Sequence, residues 1–173
     1  MSPPLVVLVG PPGAGKSAVG RIVAQQHGVG FRDTDDDVAA AAGKSISDIF
    51  VEDGEPAFRA AERAAVRQAL DTHAGVLALG GGAVVDASTR AALSGHRVVF
   101  LDVSLAAAVS RVGLARDRPL LLGSPRAQLK QLMDARRPLY LEVASATVDT
   151  SDRSPHAVAG AVTALIGGGG NDG

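Results

Sequence analysis

The sequence predicts an α/β fold in which helices cover both faces of a parallel sheet. Short apolar runs with β-branched residues alternate with helical segments along the whole chain, as in sheets of parallel strands. The first run, residues 5–9, leads through a glycine-rich turn directly into a helix that begins at residue 16. No internal repeat and no linker interrupts this alternation. We therefore expect one domain with three layers: helices, sheet and helices.

The composition narrows the class of protein. A chain of 173 residues is the size of one ordinary domain, and a net charge of −1 argues against a polybasic arm for nucleic acid or a membrane-surface patch. The absence of cysteine excludes disulfides, thiolate metal sites and cysteine nucleophiles. No apolar run reaches the ~18 residues of a membrane span, and the N-terminus lacks a signal-peptide pattern. We expect a cytoplasmic monomer that binds neither nucleic acid nor membrane.

Local patterns predict the elements of the first part of the chain. Residues 5–9 form a buried strand, and residues 16–27 form a helix with apolar side chains at helical spacing. Residues 29–31 predict a second short strand. The acidic run 33–37 suits the first turn of a helix, which we expect to end at Gly43.

The same reasoning extends to the rest of the chain. The further helices predicted are residues 45–51, 55–70, 105–112, 129–135 and 157–166, and the further strands are residues 76–79, 98–101 and 147–148. Residues 113–124 predict a polar loop, and the glycine-rich residues 167–173 predict a flexible tail. Within the single domain, 1–166, the segments 36–62 and 113–126 are candidates for movable lobes.

Residues 10–17, GPPGAGKS, match the phosphate-loop motif G-x-x-x-x-G-K-[ST] at every defined position. Small residues allow successive backbone N–H groups to point at phosphate oxygens, and the helix that starts here adds the positive end of its dipole. The Lys16 ammonium can reach the β- and γ-phosphates, and the Ser17 hydroxyl can bind a bridging Mg²⁺. The motif predicts binding of a nucleoside triphosphate but does not identify the group that receives the phosphate.

Two carboxylates, Asp33 and Asp35, follow the second strand. Alternate side chains of an extended segment point the same way, so both can face the cleft beyond the carboxyl ends of the strands. There one carboxylate can hold Mg²⁺ through water, and the other can accept a hydrogen bond from an acceptor hydroxyl. The alternative is a solvated acidic helix start. The glycine triplet 80–82 also has two interpretations: a backbone that a small ligand approaches closely, or a loose turn.

Several arginines are candidates for binding anionic groups. Arg59 has Glu62 three residues later, which is either an ordinary surface pair or a carboxylate that aims the guanidinium at a ligand. Arg116 and Arg118 lie in the predicted loop. If this loop closes over ATP, it can place one of their positive charges at the transferred phosphoryl group. Each of these arginines, and Arg136, is on its own more consistent with a solvated surface position than with a binding role.

Taken together, these elements resemble those of shikimate kinases. In chain order they are GPPGAGKS at 10–17, Asp33-Thr34-Asp35, Phe58-Arg59 with Glu62, LGGGAV at 79–84, Arg118-Pro119-Leu120, and Arg136-Arg137-Pro138-Leu139-Tyr140. The phosphate loop alone is unspecific, whereas the combination in this order and spacing is highly specific. The resemblance extends from the first strand to about residue 166.

The resemblance implies both a fold and a reaction. The fold is that of nucleoside-monophosphate-kinase-like proteins, with a five-stranded parallel sheet in the order 2-3-1-4-5. The reaction is transfer of the ATP γ-phosphoryl group to the 3-hydroxyl of shikimate, which gives shikimate 3-phosphate and ADP on the way to chorismate and the aromatic amino acids. ATP and shikimate are the implied partners, and one Mg²⁺ ion accompanies ATP.

The resemblance also assigns roles to residues of this chain. The implied ATP-binding residues are Gly13, Ala14, Gly15, Lys16, Ser17, Ala18, Arg111, Arg118, Arg153 and Pro155. The implied shikimate-binding residues are Asp35, Arg59, Gly80, Gly81, Gly82 and Arg136. The implied catalytic residues are Lys16, Asp35 and Arg118, and the implied Mg²⁺ positions are Ser17 and Asp33. In the lid, Arg118 before Pro119 matches the family pattern better than Arg116.

The chemistry of these side chains suits such an acceptor. A carboxylate is bound best by arginine, whose planar fork can hold both oxygens, and hydroxyls are bound by Asp and backbone groups. Two other functions compete: a small-molecule kinase of the same fold acting on gluconate or a nucleotide, and a regulatory module that binds ATP without transfer. The pair Arg59 and Arg136 favours a carboxylate acceptor, and the joint presence of Lys16, Asp35 and Arg118 argues against the regulatory module.

Overall fold

The fold is built on one parallel sheet of five short strands. The computed structural model describes residues 3–112 and 124–167 of the chain. The strands are β1 (Val6–Val9), β2 (Phe31–Asp33), β3 (Val76–Ala78), β4 (Val98–Asp102) and β5 (Ala146–Asp149). They are all parallel and lie in the order β2-β3-β1-β4-β5. This order confirms the predicted arrangement 2-3-1-4-5.

Helices connect the strands and cover the sheet. Those of the described residues are α1 (Lys16–His27), α2 (Thr34–Ala42), α3 (Ile46–Glu52), α4 (Glu55–Thr72), α5 (Ala87–Ala92), α6 (Leu105–Val112), α7 (Pro125–Val143) and α8 (Pro155–Gly167), with a 3₁₀ turn at Ala83–Val85. None of these helices combines the length and the apolar character needed to cross a membrane. Residues 113–123 of the predicted lid, which include Arg116 and Arg118, lie outside the described residues, as do residues 168–173 of the predicted tail.

The side chains of β1 alternate between the two faces of the sheet and divide the core in two. Val6 and Leu8 pack with apolar side chains of α1 and α8, whereas Val7 and Val9 pack with those of α4 and α7. All four are at most 1% exposed. An unbroken run of apolar residues is therefore what a strand covered on both faces requires.

A third, smaller apolar cluster lies beside the β2 edge of the sheet. Val38 of α2, Ile49 of α3, and Phe58 and Ala65 of α4 are buried against one another. These three helices span the segment 36–62 predicted as a movable lobe, so most of this segment shares a core of its own.

The second strand lies two residues later than the pattern predicts. The structure pairs Phe31 with Val76 and Asp33 with Ala78, whereas the sequence predicts the strand at residues 29–31. Pairing with the neighbouring strand β3 decides the register, because the short apolar run by itself does not. The shift places Asp33 at the carboxyl end of β2.

Helix α7 is much longer than the predicted 129–135 and continues through Pro138 to Val143. An internal proline removes one helical hydrogen bond and usually ends or kinks a helix. Here the turn beyond Pro138 carries Tyr140, which is 1% exposed and whose ring stacks on Phe100 with 5.0 Å between centroids. Packing on β4 thus extends the helix past the residue that predicts its end.

Helix α5 and the 3₁₀ turn before it are not among the predicted elements. Asp86 begins α5, since its side chain accepts hydrogen bonds from the backbone N–H groups of Ser88 and Thr89. An Asp followed by a short helical run is a helix-start signal, which was available in the sequence. At the other end of the chain, Gly167 belongs to α8 rather than to the tail.

Candidate active site

The carboxyl ends of β1, β2 and β3 border one cavity of about 410 Å³. It is lined by the phosphate loop, the acidic pair, part of the glycine triplet and one arginine, namely Pro12, Gly13, Gly15, Lys16, Ser17, Ala18, Asp33, Asp35, Leu79, Gly80, Gly81 and Arg111. Open parallel sheets bind their ligands at this edge. Ala14, also predicted to bind ATP, is buried below the loop at 1% exposure.

The phosphate loop holds Lys16 above its own backbone. Gly15 precedes α1 with a φ of 90°, a left-handed conformation that glycine adopts without steric cost. The Lys16 Nζ donates hydrogen bonds to the carbonyls of Gly10, at 2.7 Å, and Pro11, at 3.1 Å. Desolvation lowers the pKa of Lys16 to about 8, although Asp33 and Asp35 favour its charged form. The ammonium lies at the mouth of the loop, where phosphate oxygens would bind.

Asp33 is both the helix start and a residue of the cavity. Its Oδ1 accepts a hydrogen bond from the backbone N–H of Asp35 at 2.9 Å, which caps α2, and its Oδ2 accepts one from the Ser17 hydroxyl at 3.2 Å. Asp35 lies in the first turn of α2, so the prediction that residues 33–35 form one extended segment is wrong. Helical turn and strand end nevertheless bring both carboxylates to the same cavity.

Burial sets the protonation behaviour of Asp35. Partial desolvation, followed by repulsion from Asp33, raises the pKa of Asp35 above its usual value, while Lys16 and Arg59 act in the opposite direction. A carboxylate with a raised pKa is a better proton acceptor than an exposed aspartate. Asp35 is therefore suited to hydrogen-bond an acceptor hydroxyl and take its proton.

The chemistry of Ser17 and Asp33 suits Mg²⁺. Mg²⁺ is held by oxygen ligands, commonly one or two from the protein together with phosphate oxygens and water. The hydroxyl of Ser17 and the carboxylate of Asp33 are adjacent at 3.2 Å. Among the described residues, no group of three or more His, Cys, Asp or Glu side chains could hold a metal ion by itself. A pair of oxygen donors next to a phosphate loop fits an ion that arrives with a nucleotide.

The glycine triplet forms a close-packed wall between Asp35 and Arg59. A Cβ atom at Gly80 would collide with the Asp35 carboxylate, and a Cβ at Gly82 would lie 2.6 Å from an Arg59 guanidinium nitrogen. The Gly80 N–H donates to the Thr34 hydroxyl at 3.2 Å, and Thr34 itself is fully buried. The interpretation of the triplet as a loose turn is therefore wrong.

Arg59 is held by a buried carboxylate. Its guanidinium donates to Glu62 at 2.7 Å, and the Glu62 side chain is only 3% exposed. Burial raises the pKa of Glu62, which the positive charge of Arg59 partly offsets. An ordinary surface pair would leave both partners in water, so the alternative in which Glu62 aims Arg59 is the one the structure supports.

Arg136 of α7 is the second guanidinium at this place. It is half-buried, and within residues 3–112 and 124–167 it forms no ion pair with a carboxylate. Its positive charge acts on Lys16, Glu62 and Tyr140, which places it beside the other predicted binding groups. A half-buried arginine that no carboxylate of the described residues neutralises is a ready binding group for an anion.

Arg111 connects the phosphate loop to the segment that follows β5. Its guanidinium donates to the Gly13 carbonyl at 3.1 Å, and to the Thr150 hydroxyl and carbonyl at 3.0 and 2.6 Å. Arg153 lies on the same segment and donates to the Asp149 carbonyl at 3.1 Å. Arg111 lines the 410 Å³ cavity, whereas Arg153 and Pro155 do not.

Three supporting hydroxyls have no role in the sequence-based assignment: Thr34, Tyr140 and Thr150. Thr34 is fully buried between the two aspartates and holds Gly80. Tyr140 donates a hydrogen bond to the Gly81 carbonyl at 2.5 Å. The sequence contained one signal, because Tyr140 is the single tyrosine and follows Arg136 by four residues on a helix. The partners of Thr34 and Thr150 are distant in sequence, and no local pattern indicates them.

Comparison with known proteins gives a consistent result. The family model described as shikimate kinase matches residues 12–166. The chain is 57% identical to a shikimate kinase of Frankia casuarinae, over 94% of this chain and 72% of that protein. It is 58% identical to one of Streptomyces avermitilis, over 94% of this chain and 95% of that protein.

Solved structures agree. A structure described as shikimate kinase from Acinetobacter baumannii in complex with shikimate has a TM-score of 0.89 and 34% identity, covering 99% of this chain and 97% of that one. A shikimate kinase from Aquifex aeolicus has a TM-score of 0.83 and 27% identity, covering 97% and 99%. The family model and the curated relatives thus match the chain almost from end to end: the chain belongs to the shikimate kinase family.

Proposed function

We propose that this chain transfers the γ-phosphoryl group of ATP to the 3-hydroxyl of shikimate, giving shikimate 3-phosphate and ADP. One observation carries the residue assignment. The glycine triplet separates Asp35 from Arg59, with the phosphate loop on the side of Asp35 and Arg136 close by. This arrangement places three groups around a small space: the phosphate loop, Asp35 as proton acceptor, and Arg59 with Arg136 as a clamp for a carboxylate (the carboxylate clamp). Shikimate has the matching groups, a ring carboxylate and hydroxyls.

The proposed roles follow from the contacts of each side chain. Arg59, aimed by Glu62, and Arg136 hold the shikimate carboxylate and so place the 3-hydroxyl toward the phosphate loop. Asp35 accepts the proton of that hydroxyl while the hydroxyl oxygen forms the new bond to the γ-phosphorus. The bond from the γ-phosphorus to the bridging oxygen breaks, and ADP leaves. Lys16 stabilises the charge on the β- and γ-phosphate oxygens, since such transition states need positive charge more than covalent help.

Ser17 and Asp33 would hold the Mg²⁺ ion that accompanies ATP. When bound, the ion neutralises phosphate charge. The support for this assignment is the adjacent hydroxyl and carboxylate at the start of α1 and the end of β2. Gly13, Gly15, Lys16, Ser17 and Ala18, on the lining of the cavity, are the proposed phosphate contacts.

The remaining assignments are proposals that rest on the sequence resemblance. Arg118 is the lid cation that approaches the transferred phosphoryl group, within a lid at 113–126. Arg153 and Pro155, with Arg111, surround the adenine, and Ala14 supports the phosphate loop from below. We also propose that 1–166 acts as one domain with a substrate-binding segment at 36–62, and that the protein is a cytoplasmic monomer. Light scattering on the purified chain tests the monomer.

A coupled ADP-release assay tests the function. The protein receives Mg·ATP alone, and Mg·ATP with shikimate, gluconate or a nucleoside monophosphate. We expect ADP release only with shikimate, and loss of that release in Lys16→Met, which removes the phosphate-binding cation. Release with another acceptor would refute the substrate, and ATP binding without release on any acceptor would favour a regulatory module.

A further inference from the structure

The proposed mechanism gives no role to the hydroxyl of Tyr140, a buried residue at the site. Tyr140 is 1% exposed, and its ring stacks on Phe100 of β4. Stacking accounts for the ring, but it does not account for the hydroxyl. Phenylalanine would pack on Phe100 equally well.

The Tyr140 hydroxyl has two neighbours that belong to the substrate side of the site. It donates its proton to the Gly81 carbonyl at 2.5 Å. Its oxygen can still accept a hydrogen bond, and the positive charge of Arg136 acts on it, opposing the burial that raises the pKa of Tyr140 to about 12. The residues are four apart on α7, so their side chains lie on the same helix face.

Gly81 in turn lies against the phosphate loop. A Cβ atom at Gly81 would be 3.2 Å from the Pro12 ring and 3.5 Å from the Gly10 carbonyl. The backbone at Gly81 thus lies next to the phosphate loop. Arg136, Tyr140 and Gly81 connect the carboxylate clamp to the phosphate loop through one hydroxyl.

Arg136 needs such support, because no carboxylate of the described residues holds it. Arg59 differs, since Glu62 aims it. We propose that Tyr140 is a positioning residue for the acceptor substrate: its hydroxyl orients the Arg136 guanidinium relative to Gly81 and so sets where the substrate carboxylate binds. The inference rests on the proposed function, in which Arg136 holds that carboxylate.

Tyr140→Phe tests the inference, because it removes the hydroxyl and keeps the ring. We expect the KM for shikimate to rise about tenfold, as for loss of one hydrogen bond to a charged group. The KM for ATP should stay within twofold, and the thermal midpoint within ~3 °C, as for loss of one neutral hydrogen bond. A purely structural hydroxyl would instead lower the midpoint and leave the two KM values in their original ratio.

A second variant tests the route through Arg136. Arg136→Lys keeps the charge and loses the planar fork that Tyr140 is inferred to orient. If Tyr140 acts through Arg136, Tyr140→Phe should raise the shikimate KM less in the Arg136→Lys background than in the wild type. Full multiplication of the two effects would show independent action and overturn the inference.

The wild-type arm separates the two proposals. Absence of shikimate-dependent ADP release from the wild type would overturn the proposed function and this inference with it. Normal release from the wild type, with a Tyr140→Phe variant that has the wild-type shikimate KM, would overturn the inference alone.

Discussion

Asp35 and Lys16 have opposite charges in the same cavity, and burial shifts both toward neutrality. Desolvation raises the pKa of the carboxyl and lowers that of the ammonium to about 8. Each partly stabilises the charge of the other, but within residues 3–112 and 124–167 neither forms a direct ion pair. A bound anion would counteract the effect of burial on Lys16, because negative charge favours the protonated amine.

Asp35→Asn should lower kcat by at least ~100-fold, because asparagine cannot take the proton of the acceptor hydroxyl. ATP affinity should change little, since the carboxylate is proposed to face the acceptor. Steady-state kinetics and ATP titration measure the two quantities. Asp36→Asn is the matched control, because Asp36 is exposed one residue later on α2. Near-normal turnover of Asp35→Asn would remove this residue from the mechanism.

ATP binding should take up protons at slightly alkaline pH. With its pKa at about 8 in the free protein, Lys16 is mostly neutral at about pH 8.5. Phosphate oxygens stabilise the charged amine and raise its pKa, so the bound state carries more protons. Calorimetry of ATP binding in two buffers of different ionisation enthalpy measures the uptake. Persistence of the same uptake in Lys16→Met would assign it to another group.

At the scale of elements, the site is formed where one tight backbone segment meets three helices. The glycine triplet after β3 contacts α2 through Asp35, α4 through Arg59 and α7 through Tyr140. Each contact exists because glycine has no side chain or because a hydroxyl reaches the backbone. Helix α7 in turn docks on β4 through an ion pair of 3.1 Å between Arg137 and Asp102.

Gly82→Ala should displace the Arg59 guanidinium and raise the KM for shikimate. The new Cβ would lie 2.6 and 2.7 Å from its terminal nitrogens, so the side chain must move. We expect an increase of ~5–50-fold, as for a weakened charge-assisted hydrogen bond. Gly160→Ala on α8 is the matched control, because nothing lies within 4 Å of its Cβ. An unchanged shikimate KM in Gly82→Ala would show that Arg59 does not hold the substrate.

Arg136→Ala should mainly raise the KM for shikimate, by ~10–100-fold, because it removes one half of the carboxylate clamp. The thermal midpoint should be almost unchanged, since Arg136 has no ion pair to lose among the described residues. Lys130→Ala removes the same charge from the exposed surface of α7 and serves as the control. Unfolding of Arg136→Ala would show that Arg136 is structural.

At the scale of the whole molecule, the site depends on a sheet that is buried on both faces. The central strand β1 carries the phosphate loop at its carboxyl end and contributes alternating side chains to two cores. Small deformations of this strand would move the loop relative to β2 and β3. Rigid packing of the sheet thus maintains the spacing of groups that come from distant parts of the chain.

Leu8→Ala should destabilise the fold by about 2–5 kcal/mol, as for a fully buried leucine in a core that cannot collapse. Leu8 is 0% exposed between α1 and α8. Leu141→Ala should cost less than ~0.5 kcal/mol, because Leu141 is 48% exposed. Urea unfolding of both variants measures the free energies. Equal losses in the two variants would contradict the assignment of the core.

Much of the architecture was predictable because strand and helix patterns are local. The phosphate loop and the helix ends at His27 and Gly43 follow from contiguous residues. The register of β2 could not be predicted from local residues, because pairing with β3 decides it. The length of α7 could not be predicted either, because it depends on the packing of Tyr140 on Phe100. Asp33 and Asp35 were correctly assigned to the cavity, but from a wrong local geometry.

The sequence by itself determined the nucleotide chemistry, because the motif GPPGAGKS contains the whole phosphate cradle in eight consecutive residues. On the acceptor side the resemblance indicates the residues, and only the tertiary structure shows how they are held. The hydrogen bond from Tyr140 to Gly81 joins residues 59 positions apart, and that from Gly80 to Thr34 joins residues 46 apart. The burial that distinguishes Glu62 from a surface residue likewise depends on distant elements. Such contacts arise from packing around the sheet, which no local pattern of residues encodes.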